Sequence, residues 1–174
     1  ISTMHCYDPQ NVYANTKLEA EKFVEQLDDY LILRLSNTVG VSLNTSSDNF
    51  FNKILSSYIN KTSFEAFSSH PFEVTYIGHL VKLLEHLISN NISKHLIPVV
   101  AQGKITRYDF ASRLLSLYGI QVTEILRPLD KKTDRYYNLN IYEDLNLPKI
   151  DIEDVIRKIH EECQTMGLNS VDNN

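Results

Sequence analysis

Glycine is scarce in this chain. It occurs five times in 174 residues, as Gly40, Gly78, Gly103, Gly119 and Gly167. No two of these stand close enough to build the glycine-rich loop that cradles a phosphate. Tryptophan is absent and cysteine occurs twice. Cys6 and Cys163 lie at opposite ends and make no CxxC or metal-ligand spacing, so two reduced thiols in a reducing cytosol are expected. None of the six histidines pairs at ligand spacing. His79 and His86 fall on one helix but two turns apart, too far for one ion. A basic block is also missing. The net charge is −5 and the pI about 5.7, which argues against binding along a nucleic-acid backbone. No apolar run approaches the ~18–20 residues that cross a bilayer. Ile1, Ser2 and Thr3 lack the charged stretch and apolar run of a secretion signal. The chain is expected to be the C-terminal part of a longer, cytoplasmic polypeptide, beginning near the end of a buried strand.

Apolar residues make up 43% and charged residues 22%, the proportions of an ordinary globular domain. The pattern alternates between helix and strand. Residues 12–28 read as a helix with Ala20, Phe23, Val24 and Leu27 on its inner face. Residues 31–35 (LILRL) read as a buried strand. Asp48 or Ser47 is expected to cap a helix to about residue 59, with Phe50, Phe51, Ile54 and Leu55 inward. A short strand at 73–76 leads into a heavily apolar helix at 77–89, expected to be buried on more than one side, with a dimer face as its secondary use. A strand at 95–100 contains Pro98, which suits an edge. Thr106 and Asp109 form a capping box for a helix that Gly119 ends. A strand at 122–127 follows, and the last helix starts at Asp151 with Val155, Ile156 and Ile159 inward. The residues from about Thr165 on are polar and uncapped. This alternation predicts an α/β layer architecture with a parallel sheet.

The chemistry concentrates in the first 40 residues. Tyr13 and Lys17 stand four apart in YANTK, one helical turn, so both side chains point the same way. A free tyrosine titrates near ~10, and a neighbouring ammonium favours the phenolate. Such a pair is suited to giving a proton to a carbonyl oxygen as that oxygen gains charge. Thr3 lies ten positions upstream, at the end of the expected first strand. Open α/β sheets bind ligands at that end of a strand. Glu19, Glu21 and Glu25 read as a solvated helix face. His5 reads as a loop histidine, and Tyr136 and Tyr137 as a strand edge.

These residues resemble the extended short-chain dehydrogenase/reductase family. In that family a strand ending in Ser-Ser or Ser-Thr leads to a Tyr-x-x-x-Lys helix; here the match is IST and YANTKLEAEKFV. A strand ending in Leu-Arg and an Asn-x-x-Gly turn follow, matched by LILRLSNTVG. DNFFNKIL, GKITRYDFASRLL and LPKIDIEDVIRKI are similar to later segments, most like those of the dTDP-4-dehydrorhamnose reductases. The likeness runs from Ile1 to about Glu162. It implies the C-terminal part of a Rossmann-like, doubly wound parallel sheet plus a small substrate-binding α/β portion. Residues 1–165 would form that part and 166–174 a polar tail, with the dinucleotide-binding half absent.

The resemblance further implies a function. It is the NAD(P)-dependent reduction of a keto group on a nucleotide-linked deoxysugar, with NADP or NAD as cofactor. Tyr13 would be the catalytic acid, Lys17 its partner and holder of the nicotinamide ribose, and Thr3 the hydroxyl on the substrate carbonyl. Ser2 would support the strand end. Leu35, Ser36 and Asn37 would lie beside the cofactor, with Asn37 also facing the nucleotide sugar and Arg135 near a substrate phosphate. A homodimer is compatible with the family. Two departures matter. The interval between Thr3 and Tyr13 is shorter than the family commonly has, which leaves the sugar open. Met4 and His5 replace the Asp-Glu pair of sugar-nucleotide dehydratases, which argues against dehydration. Two alternatives stay open: a non-catalytic binding or regulatory relative, as in the β subunit of methionine adenosyltransferase, and a sugar-nucleotide epimerase.

Overall fold

The computed structural model describes residues 1–41, 48–69, 71–126 and 137–166. In chain order the elements are strand β1 (Ser2–Thr3), a 3-10 turn (Met4–Tyr7), helix α1 (Val12–Val24), β2 (Leu31–Leu35), β3 (Asn37–Val39), α2 (Phe50–Asn60) and β4 (Phe64–Phe67). There follow β5 (Val74–Tyr76), α3 (Ile77–Ser89), β6 (His95–Val99), α4 (Arg107–Ser116), β7 (Val122–Ile125), α5 (Ile141–Asp144) and α6 (Ile152–Thr165). The chain divides into two compact units. The first comprises Ile1–Thr38, Val74–Ala101 and Lys131–Ile150; the second comprises Val39–Glu73, Gln102–Asp130 and Asp151–Asn174.

The first unit is built on a parallel sheet in the order β1-β2-β6. β2 is the central strand, and its run of Ile32, Leu33 and Arg34 is buried. A parallel strand covered on both faces reads as a continuous apolar run, which is why LILRL was legible. β6 is the outer strand of the three, a position that tolerates Pro98. Leu33, Leu83, Leu87, Ile97, Val99, Tyr142 and Leu147 form the core. The Tyr142 hydroxyl donates to the Pro98 carbonyl at 2.9 Å.

α3 begins and ends where its periodicity predicts, but it is buried on one side only. His79, Leu83 and Leu87 are sealed, while Val81 and Ile88 are exposed. The sealed residues repeat every four positions; Leu80 and Leu84 flank them, partly buried against the core, and the other side of the helix is exposed. Gly78 lies in its first turn because the Tyr76 ring occupies the space of a side chain; a Cβ would meet that ring at 2.7 Å.

The inner face of α1 also differs from expectation. Ala14 and Glu21 are its buried residues, whereas Ala20, Phe23 and Leu27 are exposed. The helix ends at Val24, four residues early, and the chain turns away through Leu27, whose amide bonds the Val24 carbonyl.

In the second unit β4 and β7 pair in parallel from Phe64↔Val122 to Phe67↔Ile125, and α4 packs on both. β5, in the first unit, pairs with β3 in a separate two-stranded sheet. Phe51, Ile54 and Leu55 of α2 are buried as expected, with Tyr58 beside them. Its cap is Asn49, which accepts from the Asn52 amide at 2.8 Å, rather than Asp48 or Ser47. Thr106 and Asp109 make the capping box, and Gly119 takes a φ of +72° after α4. Asp151 caps α6, accepting from the Asp154 amide at 2.8 Å, and Val155, Ile156 and Ile159 point inward. Among the described residues no helix is long and apolar enough to cross a membrane.

Candidate active site

All the described site residues lie in the first unit. The parallel register lines up the carboxyl ends of its strands, with Thr3 beside Leu35 and Leu35 beside Val99. Beyond those ends the chain leaves the sheet, which is where α/β sheets accept ligands. The Ser36 amide donates to the Thr75 hydroxyl at 2.8 Å, and that hydroxyl donates to the Val99 carbonyl at 2.5 Å. Thr75, fully buried on β5, thus holds the turn that follows β2. Asn37 and Thr38 are exposed.

Thr3 is 7% exposed and ends β1. Its hydroxyl accepts the His5 amide at 3.3 Å and so caps the 3-10 turn; its own proton is committed to no described acceptor. Asn11 caps α1 by accepting the Ala14 amide at 2.8 Å, which starts the helix just before Tyr13. Tyr13 is 56% exposed, and the Lys17 Nζ lies 6.0 Å from the centre of its ring. The phenol and ammonium therefore share one side of α1, as their spacing predicts. α1 in turn packs on β1 and the 3-10 turn, which brings that helix to the strand carrying Thr3. Arg135 lies outside the described residues, as does Tyr136.

One residue is misread from sequence. Glu21 is not a solvated carboxylate: it accepts from the Arg34 Nε at 3.0 Å and Nη2 at 2.6 Å, with side-chain exposures of 4% and 7%. Burial opposes charge on Glu21. The hydrogen bonds from Arg34, with help from the polar Ser2 side chain, outweigh it and hold the carboxyl below the usual range. Burial likewise disfavours the Arg34 charge, and Glu21 more than restores it. The guanidinium also lies 4.2 Å from the centre of the Tyr7 ring. Burial pushes the Tyr7 phenol up against the opposing pull of Arg34. A charged residue in each of two otherwise apolar-patterned elements, LILRL and YANTKLEAEKFV, was the available signal for this pair. Among the described residues no group of three or more His, Cys, Asp or Glu side chains is placed to hold a metal.

A family model described as the RmlD substrate binding domain matches residues 2–136. The chain belongs to the RmlD substrate-binding family. Comparison with the curated proteins gives no match. The RmlD-type fold is shared by solved structures of low sequence identity. The dTDP-4-dehydrorhamnose reductase of Bacillus anthracis, in complex with NADP, is 18% identical with a TM-score of 0.72, over 87% of this chain and 56% of that one. That of Clostridium acetobutylicum is 21% identical with a TM-score of 0.71, over 90% and 57%. The dTDP-glucose 4,6-dehydratase of Bacillus anthracis, in complex with NAD, is 12% identical with a TM-score of 0.72, over 94% and 60%. The RmlD-type chain thus spans less than two thirds of the length of each. At these identities the likeness is one of fold, a mixed α/β architecture with parallel strands.

Proposed function

We infer that this chain is the catalytic and substrate-binding portion of an NAD(P)-dependent oxidoreductase that reduces a keto group on a nucleotide-linked deoxysugar. The observation that carries this reading is the Tyr13–Lys17 face of α1, set directly after the strand whose Thr3 stands level with Leu35 at the carboxyl edge of the sheet. The family match and the NADP and NAD bound in structures of like fold support it.

The residues present suit the nicotinamide-ribose end of such a cofactor. Lys17 offers a cation for ribose hydroxyls, and the Leu35–Asn37 turn offers backbone at the sheet edge. The five scattered glycines offer no pyrophosphate turn. A separate dinucleotide-binding half is therefore proposed to hold that end, and residues 1–165 alone are expected to be inactive. When bound, the nicotinamide supplies the hydride. The chain's own residues do the rest. Tyr13 gives its proton to the carbonyl oxygen, Thr3 donates a hydrogen bond to that oxygen, and Lys17 steadies the phenolate left behind.

In the full-length polypeptide, Tyr13→Phe is expected to lower turnover by ~10²–10⁴-fold. NADPH binding, followed by fluorescence titration, stays within about threefold, because the substitution leaves Lys17 and the sheet edge in place. Unchanged turnover removes Tyr13 from the mechanism.

A further inference from the structure

We propose that the buried Glu21–Arg34 pair is a positioning device that sets the rotation and axial height of α1, and with them the Tyr13–Lys17 face; its functional half rests on the reading of that face given above. Little of α1 is sealed, with Leu18 and Val24 only partly buried. Its sealed residues are Ala14 and Glu21. An alanine is a shallow contact, and apolar contact is in any case non-directional. A guanidinium and a carboxylate joined by two parallel hydrogen bonds have one planar geometry. Here those bonds measure 3.0 and 2.6 Å.

The placement of the pair suits the task. Glu21 is one turn beyond Lys17 and two turns beyond Tyr13 on the same helix. Arg34 is the registered sheet partner of Ser2, the residue before Thr3. The Cys6 thiol donates to the Ala14 carbonyl at 3.7 Å and lies 3.5 Å from the Ser2 hydroxyl, so the 3-10 turn and β1 also meet α1 here, and Arg34 is braced on the Tyr7 ring. One carboxylate therefore ties the helix bearing the acid to β2, the strand paired with the one bearing the hydroxyl. A slip of one helical residue moves a side chain by about 1.5 Å and turns it by about 100°. Proton transfer needs heavy atoms within roughly 2.6–3.2 Å, and a misplacement of about 1 Å can cost ~10² in rate. Burial alone does not explain the pair, since well-packed apolar residues often replace a buried ion pair without loss of stability.

The test is the double variant Glu21→Leu/Arg34→Met, which removes the directional contact and keeps an apolar one. Spin labels at Val12→Cys on α1 and Glu85→Cys on α3 report the placement of the helix, in the parent and in the variant. The variant is expected to melt within about 5 °C of the parent, while the label distance shifts or broadens by at least ~1.5 Å, one helical step. Turnover of the full-length polypeptide with NADPH falls ~10²-fold at a KM within about threefold. An unchanged distance distribution overturns the proposal. So does turnover within threefold of the parent when Tyr13→Phe has lost ~10². If Tyr13→Phe itself leaves turnover unchanged, the reading of the active site fails separately, and the label distance alone decides whether the pair positions α1. Should the double variant not fold, Glu21→Gln, which keeps the side-chain shape but leaves one acceptor and sets an amide donor against the guanidinium, is read by the same distance and turnover criteria.

Discussion

His79 is a sealed base with an unanswered nitrogen. Its residue is 4% exposed, and its Nε2 has no hydrogen-bond partner. It lies on the inner stripe of α3 with Leu83 and Leu87. Burial, and then the nearby Lys82 charge, hold its pKa below the ordinary histidine value. Leucine at this position keeps the stripe apolar and deletes the orphaned atom. A buried polar atom left unsatisfied costs about 1–3 kcal/mol, so His79→Leu is expected to be more stable than the parent by about 1–2 kcal/mol at pH 7.5. The pH dependence sharpens the test. Unfolded histidine titrates near ~6.5, and the folded one titrates lower. Between those values the unfolded state binds more protons, so the parent loses stability as pH falls below ~6.5, by at most about 1.4 kcal/mol per unit. The variant lacks that loss. Urea denaturation followed by circular dichroism at pH 7.5, 6.0 and 5.0 should show the gap between the two widening as pH falls. A constant gap, or a leucine variant less stable at pH 7.5, refutes the picture of a sealed, unpartnered imidazole.

Two further outcomes are expected. Thr75→Val keeps the shape of the side chain but strips the Ser36 amide and the Val99 carbonyl of a shared partner; it should cost about 1–3 kcal/mol in denaturant melts, and a neutral substitution would show that the turn after β2 is held by other means. Cys6 and Cys163 are both free and buried, and burial pushes the Cys163 thiol up; both should resist a thiol-specific disulfide reagent in the native protein and react in urea, so rapid native labelling would contradict the packing.

Legibility in the sequence followed the physics of each element. β2, α3, α4 and α6 announced themselves because each carries its own signal: a continuous apolar run, a strong stripe, a capping box, a capping aspartate. The Tyr13–Lys17 pair was equally local, since four residues make one turn. What stayed hidden depends on partners distant in sequence. β4 is four residues long and is defined by pairing with β7, nearly sixty positions on. Glu21 looked like surface because helical spacing cannot reveal an arginine thirteen positions downstream. The inner face of α1 was misjudged for the same reason: an ion-paired carboxylate took the inner position, and Phe23 and Leu27 went outward. Thr75 gave no signal, because its importance lies in two backbone groups distant in sequence, in the turn after β2 and on β6.

The two units are interleaved along the chain, which passes from one to the other at residues 38–39, 73–74, 101–102, 130–131 and 150–151. Neither unit can therefore be cut out as a single stretch of sequence, and a protease that nicks one crossing leaves both halves still threaded together by the other four. A deletion that removes the N-terminal segment of one unit also takes its strands out of register with partners encoded far downstream. Evolution of either unit is thus tied, crossing by crossing, to that of the other.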